Sequence, residues 1–348
     1  MHRLFSLVAL LLFFSCEQAQ EDISLSIEII PLETGTNASL RGLSVVSENI
    51  AWASGSEGTF LRTIDGESWH ADTVPGAGTY QFRDIEAFSE NEAILMTAGF
   101  PAKFYKTSNG GESWTETYSN ETEGIFFDAM GFWDQMNGIA FSDAIDGHLV
   151  IITTKDGGAS WQEIDYEHLP ASPAEGEGGF AASGTCLTTF GDSLVWIGLG
   201  SPDSRVFRSD DRGKTWDVVV TDMKQESSSA GIFSLAFQSE SFGIAVGGDY
   251  EKPQDPTKNM AITTDGGATW KLKNTQRPSG YRSAIYNLPE SEIWVASGRG
   301  GMYYSLDNGQ TWQLLDTAGF YTTQFASQNI GYATGSEGRI SKIIITHE

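Results

Sequence analysis

The feature that most constrains the fold is an eight-residue motif that recurs along the chain. Its clearest copy is Thr263–Trp270 (TTDGGATW), and the shared form is S/T-x-D/N-x-G-x-S/T-W. The tryptophans that end the six copies are separated by 45, 47, 55, 54 and 42 residues, which is the period of a four-stranded propeller blade and not of a helical repeat. The other copies are Thr107–Trp114, Thr154–Trp161, Ser209–Trp216, Ser305–Trp312 and Thr63–Trp69, the last one residue short.

The residue types of the motif explain why it forms a turn. The aspartate accepts hydrogen bonds from backbone N–H groups two residues further on, the glycine supplies a positive φ, and the serine or threonine hydroxyl closes the same turn. The tryptophan then begins the next strand and buries a large ring. The motif resembles the Asp-box, or BNR, repeat of sialidase-like propellers. This resemblance implies a peripheral turn between the third and fourth strands of each blade, so we predict a structural turn and not a binding site.

The N-terminal residues resemble a bacterial lipoprotein signal. Residues 1–15 combine a basic start with an apolar run from Leu4 to Phe14, which is long enough for a secretory segment and too short to span a bilayer. A small serine precedes Cys16, which predicts cleavage before Cys16 and its lipidation; signal cleavage slightly downstream is the alternative. Residues 16–22 then form a polar linker. We expect a protein of the bacterial cell envelope, lipid-anchored on a periplasmic or outer-membrane surface.

Composition narrows the classes of partner and cofactor. With 46 acidic and 21 basic residues the net charge is −25, which argues against nucleic acid or an anionic membrane surface as a partner. Membrane contact is therefore expected only through the lipid anchor. Only Cys186 keeps a free thiol after this processing, so no intramolecular disulfide is expected. The sequence has no CxxC, no HExxH and no GxGxxG after a strand, and it predicts neither a metal site nor a cofactor. We expect a monomer.

The segments between the motifs predict an all-β fold. Short β-rich runs alternate with turn signals, and the repeat extends through nearly the whole chain, so we predict one domain, residues 23–348, that forms a seven-bladed β-propeller. The last repeat, Phe320–Ile345, contains only three strands. Ile23–Ile30 alternates apolar and polar residues like a half-buried strand. We predict that it pairs with Ile340–Ile345 as the fourth strand of the last blade, which closes the ring without a free edge.

Two insertions interrupt the period. Residues 167–184 are rich in Pro, Gly, Ala and Glu and join the third and fourth blades, while residues 249–259 lengthen a hairpin of the fifth. Such loops often carry function, but their composition is equally typical of mobile surface. Asp249, Glu251 and Asp255 form a group that suits Ca²⁺ in residue type, although its spacing lacks the EF-hand pattern. The sequence leaves the role of both insertions open.

One residue near the start of each first strand is expected at an equivalent level near the central axis. Three of these residues are arginines, and blades six, seven, one and two are neighbours in a closed ring. We predict a basic and aromatic arc that binds a carboxylate, a phosphate or an acidic peptide, because guanidinium groups bind such anions bidentately. Alternatively, each arginine pairs with an acid such as Asp84 or Asp128 and only lines the channel. The aligned residues are Arg41, Arg83, Asp128, Thr185, Phe233, Arg282 and Tyr321, and the arc consists of Arg41, Arg83, Arg282 and Tyr321.

A longer pattern covers Leu40–Ile345: R-x-I/L, a small-residue second strand, G-x-x-G, and T-x-D-G-G-x-T-W. It resembles the Ycf48-like family of photosystem II assembly and stability factors, within the BNR propellers. The resemblance implies a seven-bladed propeller with an Arg-rich face that binds partner proteins during assembly. Here the first-strand arginine occurs only at Arg41, Arg83 and Arg282. We therefore predict a non-catalytic binding or assembly scaffold for a protein or an anionic glycan or peptide.

A glycan-active hydrolase, sialidase-like or another glycosidase, is the alternative function. Sialidases resemble this chain in their Asp boxes, but they carry an Arg-Ile-Pro motif near the start of the domain, and none occurs here. A glycosidase needs two carboxyl groups at a defined separation, and Asp128 and Asp143 are the least implausible pair. The sequence favours a protein without catalytic residues.

Overall fold

A computed structural model describes residues 25–171, 176–200 and 202–347. Over these ranges the chain forms seven separate four-stranded antiparallel sheets. The all-β, seven-bladed propeller expected from the repeat is therefore confirmed. The predicted signal segment, Cys16 and the linker 16–22 lie outside the described residues.

Six blades each use four consecutive strands, and consecutive strands within a blade pair with each other. Blades one to three contain β2 (Leu40–Val45), β3 (Ala51–Gly55), β4 (Thr59–Thr63), β5 (His70–Thr73), β6 (Phe82–Ala87), β7 (Ala93–Thr97), β8 (Ala102–Thr107), β9 (Thr115–Asn120), β10 (Phe127–Phe132), β11 (Gly138–Ile145), β12 (His148–Thr154) and β13 (Gln162–Glu163). Blades four to six contain β14 (Leu187–Phe190), β15 (Leu194–Gly198), β16 (Arg205–Ser209), β17 (Asp217–Val220), β18 (Ala230–Phe237), β19 (Gly243–Asp249), β20 (Met260–Thr263), β21 (Lys271–Leu272), β22 (Ala284–Asn287), β23 (Trp294–Gly298), β24 (Gly301–Ser305) and β25 (Gln313–Asp316).

The seventh blade joins the two ends of the chain. It contains β26 (Thr322–Phe325), β27 (Ile330–Thr334), β28 (Ile340–His347) and, as its fourth strand, β1 (Leu25–Leu32). The β1–β28 register is unbroken from the Leu25–His347 pair to the Leu32–Ile340 pair. The predicted closure is confirmed, although the strand ends two residues later than Ile30. Closure removes the free sheet edge that the last blade would otherwise expose.

The six Asp boxes lie between the third and fourth strands of their blades, as predicted. In the fifth blade the Thr263 hydroxyl accepts the Gly267 N–H at 2.9 Å, and Asp265 accepts the Thr269 N–H at 2.9 Å and the Thr269 hydroxyl at 2.6 Å. These hydrogen bonds favour the carboxylate and lower the pKa of Asp265. In the shortened first copy Thr63 accepts from Gly66, one residue earlier.

Asp boxes also hold neighbouring blades together. Trp196 of blade four is fully buried, and its Nε1 donates to the Gly266 oxygen of the fifth-blade Asp box at 2.8 Å. Its ring stacks on Phe237 of blade five at a centroid distance of 3.6 Å. Trp52 of blade one also reaches blade two, where its Nε1 donates to the Ser89 oxygen in the β6–β7 hairpin. Because each blade packs on the next, the first strands are fixed around a central channel.

Helical structure is minor in this fold. The described ranges contain a single short 3-10 helix, Tyr166–His168, at the start of the first insertion. None of the helical structure in those ranges is long and apolar enough to cross a membrane.

Candidate functional site

β-bulges aim four side chains at the channel. In β2 the pairing steps from Leu40–Gly55 to Gly42–Ser54, so that Arg41 is an extra residue without a partner in β3. The same register shift occurs in β6, β10 and β18. It leaves three residues without a partner in the neighbouring strand: Arg83, Asp128 and Phe233. A bulge re-aims the side chain of its extra residue. All four therefore point into one pocket.

This pocket, the Arg pocket, lies within the channel and has a volume of about 250 Å³. Its charged lining consists of three arginines and one carboxyl group, and most of the remaining wall is aromatic. The lining residues are Arg41, Arg83, Arg299, Asp128, Phe126, Phe180, Phe233, Tyr250, Tyr281, Tyr321, Gly179, Ala181 and Ala182. Of the predicted site residues, the structure brings Arg41, Arg83 and Tyr321 together here.

The floor of the Arg pocket comes from the first insertion. Residues 177–183, which we call the strap, cross the channel and are fastened on both sides. Glu177 is fully buried and forms two 2.5 Å hydrogen bonds with Arg205, and the Ser183 hydroxyl donates to the Ser283 oxygen at 2.7 Å. Between these anchors, Phe180 stacks on Phe233 at a centroid distance of 3.8 Å. The described part of the insertion is thus a structural part of the site.

The strap separates two pockets of the channel, one lined by arginines and the other by carboxyl groups. Ala181 and Ala182 line the Arg pocket, whereas Ser183 lines a second pocket of about 280 Å³ with Asp84 and Glu86. Channel water reaches Glu86, but protein surrounds it, and this desolvation raises the pKa of Glu86 to about 8. Glu86 is therefore largely protonated at neutral pH, and the positive charge of the channel lies in the Arg pocket.

Arg41 and Arg83 are held by backbone carbonyls and not by acids. Arg41 Nη1 donates to the Ala182 oxygen at 3.1 Å, and Arg83 Nη1 donates to the Ala181 oxygen at 3.2 Å. Among the residues that the structure describes, neither arginine forms a salt bridge. The alternative prediction, in which each arginine forms a salt bridge with an acid such as Asp84 or Asp128, is therefore not observed among the described residues.

Burial shifts the pKa of both arginines, and no salt bridge within the described ranges offsets this. Burial lowers the pKa of Arg83, and the nearby charge of Arg41 lowers it further. Burial also lowers the pKa of Arg41, which Tyr321 partly offsets; the Arg41 guanidinium lies 4.2 Å from the centroid of the Tyr321 ring. Both stay charged at neutral pH. Two neighbouring, partly desolvated cations favour the entry of an anion.

Arg282 does not belong to the predicted arc, which is a correction. Its side chain is 1% exposed, and its guanidinium donates to the Gly301 and Ser279 oxygens and lies over the Tyr303 ring. Burial lowers the pKa of Arg282 to about 10. Tyr281 lines the pocket instead. Side chains alternate along extended backbone, so the residue after Tyr281 points away from the channel.

Sequence reasoning missed Arg299. It lies in the turn between β23 and β24, is exposed, and lines the Arg pocket. The alignment of first strands excluded it because it is not on a first strand. The sequence signal that could have indicated Arg299 is a basic residue in the hairpin between the second and third strands of a blade.

Asp128 and Asp143, the carboxyl pair considered for hydrolysis, lie close enough for each to affect the pKa of the other. Only Asp128 lines the pocket. Carboxyl groups in a glycosidase stand about 5–5.5 Å apart in retaining enzymes and about 6.5–9.5 Å apart in inverting ones, so that substrate or water fits between them. Because Asp143 is not part of the pocket lining, the two carboxyl groups do not face a substrate in the Arg pocket together.

Residues of the second insertion have partners of their own. Asp249 accepts hydrogen bonds from the Ser229 hydroxyl and the Glu251 N–H, and Asp255 lies 2.8 Å from Lys224 Nζ. Across the described ranges, no group of three or more His, Cys, Asp or Glu side chains is arranged to hold a metal ion.

Fold and repeat together define the class of protein: a seven-bladed β-propeller built from Asp-box repeats. The family model of the BNR/Asp-box repeat matches residues 303–314, which contain the sixth Asp box. No curated protein matches the sequence.

This chain is also similar in structure to several solved propellers. YCF48 bound to D1 peptide is 20% identical, with a TM-score of 0.60 over 91% of this chain and 96% of that chain. YCF48 from Cyanidioschyzon merolae is 16% identical, with a TM-score of 0.64 over 90% and 98%. A GH74 xyloglucanase from Xanthomonas campestris is 15% identical, with a TM-score of 0.62 over 91% of this chain and 53% of its own, so this chain spans about half of that enzyme. The similarity to the two YCF48 structures confirms the predicted Ycf48-like fold.

Proposed function

We propose that this chain is a non-catalytic binding scaffold that takes an acidic segment of a partner protein into the Arg pocket. The observation that carries the proposal is that Arg41 and Arg83 share one pocket without a salt bridge to any described residue. Each guanidinium has five N–H donors, and one nitrogen of each bonds to the strap. The remaining donors match a carboxylate in geometry and charge.

The pocket wall favours a peptide over a small inorganic anion. Aromatic rings line most of the pocket, including Tyr250, Tyr281 and Tyr321, and they suit an apolar or aromatic side chain beside the acid. YCF48, which shares this fold, has a solved structure bound to D1 peptide, so a propeller of this fold accepts a peptide. The net charge of −25 repels an acidic ligand at long range, so contacts within the pocket supply the attraction.

Matched peptides test this proposal. The probe is a pentapeptide of sequence GFEFG, blocked at both ends, and its control is the GFQFG counterpart, which differs only in charge. We expect the acidic peptide to bind at least about tenfold more tightly in titration calorimetry, the scale of one charge-assisted hydrogen-bond pair. Equal affinities for the two peptides contradict the proposal.

The same protein, incubated with a panel of glycans that includes xyloglucan and sialyl-oligosaccharides, is expected to release no sugar. Release of sugar, lost on substitution of a carboxylate, supports the hydrolase alternative instead.

We also propose that the chain is anchored in the bacterial cell envelope through a lipid on Cys16. The apolar run before Cys16 and the small residue that precedes it support this reading. Cys16→Ala is expected to leave unprocessed precursor or to release the protein from membranes, because the lipid supplies the membrane affinity. Fractionation and intact mass of the wild type and the variant measure this. Normal membrane retention of a processed Cys16→Ala protein contradicts the anchor.

A further inference from the structure

A second pocket, which we call the box groove, lies between the Asp boxes of blades three and four and has a volume of about 540 Å³. Its basic side chains come from both boxes and from the start of the first insertion: Lys155, Arg212, Lys214 and His168. Within the described ranges no aspartate or glutamate lines it, although the chain has 46 acidic and only 21 basic residues. The box groove is therefore a local positive region on an acidic protein, and such a region attracts anions.

Arg212 has a backbone conformation that its sequence position does not favour. Its φ is +63°, in the left-handed region, where a Cβ is unfavourable for most residues. The other five Asp boxes also have a positive φ at this position, and they carry glycine or asparagine there. These residues are Gly66, Gly110, Gly157, Gly266 and Asn308. Strained residues concentrate at functional sites, so the arginine of the fourth box points to a use for its side chain.

Contacts within the protein orient the Arg212 side chain but leave it incompletely paired. Its Nε donates to the Asp192 oxygen at 2.6 Å, and its guanidinium lies 5.8 Å from the centroid of the Trp133 ring. Arg212 Nη2 is 3.4 Å from the Asp134 carboxylate, and the two side chains are 36% and 45% exposed, so this ion pair is weak. Among the described residues Nη1 has no hydrogen-bond partner. An oriented guanidinium with free N–H groups suits a carboxylate.

Lys155 and Lys214 add two charges that the fold does not use. Hydrogen bonds from other positions close the two turns: Gly158 N–H donates to the Thr154 hydroxyl, and Gly213 N–H donates to the Ser209 hydroxyl. Both lysines are exposed, and neither forms a salt bridge with a described residue. The turns are structural, and the charged side chains at their variable positions remain available to a ligand.

The rest of the lining favours an acidic protein segment over a saccharide. Trp133 and Ile164 provide apolar surface, and Arg212 covers one face of the Trp133 ring, which limits stacking on a sugar. A saccharide presents many O–H donors, but the described lining offers no carboxylate to accept them. Two carboxylates with an apolar side chain between them match both the charge and the apolar wall.

The box groove and the Arg pocket lie on opposite faces of the ring. Strands within a blade are antiparallel, so the end of the third strand, where an Asp box begins, is at the opposite end of the blade from the start of the first strand. Arg41 and Arg83 are near the starts of β2 and β6. A ligand in the box groove therefore does not compete for space with one in the Arg pocket.

We propose that the box groove is a second binding site, which takes a segment of a partner protein with two acidic residues around an apolar one. Arg212 and Lys214 from one Asp box and Lys155 from the next contact the carboxylates. The chain then holds an acidic segment on each face of the ring. This site goes beyond the proposed function and does not depend on the Arg pocket.

A blocked pentapeptide of sequence GELEG tests the proposal, with GQLQG as its uncharged control. The parent protein carries Arg41→Ala and Arg83→Ala, so that the Arg pocket does not contribute. We expect GELEG to bind the parent at least about tenfold more tightly than GQLQG in titration calorimetry. Arg212→Gly is expected to remove about tenfold of the GELEG affinity. Its melting temperature is expected to stay near that of the parent, because relief of the left-handed strain offsets the lost contacts.

Lys214→Gln and Lys271→Gln form a matched pair of surface variants. Both lysines are exposed, but Lys271 begins β21 and does not line the groove. Lys214→Gln is expected to weaken GELEG binding about threefold and Lys271→Gln to leave it unchanged. Equal effects of the two, equal affinities for the two peptides, or unchanged binding in Arg212→Gly overturn the proposal. Binding of polygalacturonate without binding of GELEG overturns the choice of a protein segment. Because the parent lacks both arginines of the Arg pocket, these failures leave the proposed function untouched.

Discussion

A variant that begins at residue 33, and so lacks β1, is expected to lose roughly 5 kcal/mol of stability or more and to melt at least roughly 10 °C lower. Deleting β1 removes the whole ladder with β28 and uncovers Ile343 and Ile345, which are buried in the seventh-blade core. Three apolar side chains of β1 pack on that core: Leu25, Ile27 and Ile29. A loss of this size approaches the total stability of an average domain.

The matched control is a variant that begins at residue 23 and lacks only the predicted linker. It is expected to melt like the chain that begins at residue 17, because the deletion leaves the strand pairs of β1 in place. Calorimetry measures both midpoints, and size-exclusion chromatography reports association through the edge of β28 that the longer deletion exposes. An unchanged midpoint for the variant that begins at residue 33 shows that β1 contributes little to closure.

Binding of the GFEFG probe is expected to weaken by roughly 1.5–3 kcal/mol in Arg41→Ala and in Arg83→Ala, the range for hydrogen bonds to charged groups. Arg299→Ala is expected to weaken it less, because this side chain is exposed and its charge is better screened by water. The lysine variants of Arg41 and Arg83 separate charge from geometry, since a lysine keeps the charge and loses the paired donors. Calorimetry on all variants gives the comparison.

Arg282→Ala is the control that distinguishes the observed pocket from the predicted arc. Arg282 is buried, so its loss leaves the Gly301 oxygen without this partner and is expected to cost roughly 2–3 kcal/mol of folding stability. Probe binding by the folded variant is expected to match wild type. Wild-type affinity in both Arg41→Ala and Arg83→Ala, or a binding loss confined to Arg282→Ala, contradicts the assignment of the site.

The two pockets of the channel explain how so acidic a protein presents an anion site. Glu86 and Asp84 lie on the far side of the strap from Arg41 and Arg83, although β6 carries three of these four residues. Separation by the strap keeps the acids from pairing with the arginines. The positive charge is therefore available to a ligand, while the outer surface keeps the excess of acidic residues that favours solubility.

The architecture of the propeller follows from patterns in the sequence alone. The Asp-box period specified the blades, because the residues of each turn bond to one another, as Thr263, Asp265 and Gly267 do. The alternation in Ile23–Ile30 predicted the closing strand, because a strand with one buried face has a period of two. Arg41, Arg83 and Tyr321 were found because equivalent blade positions lie at one level of a closed ring.

The set of side chains that meet in the site depends on contacts between residues far apart in the chain. A bulge adds one residue and changes the face on which a side chain lies, so the alignment of first strands placed Arg41 correctly and Arg282 wrongly. Arg299 reaches the pocket from a hairpin. The strap has no period, and its path is fixed by the ion pair between Glu177 and Arg205, 28 residues apart in the chain. Such long-range contacts depend on where the blades stand in space, which no local pattern records.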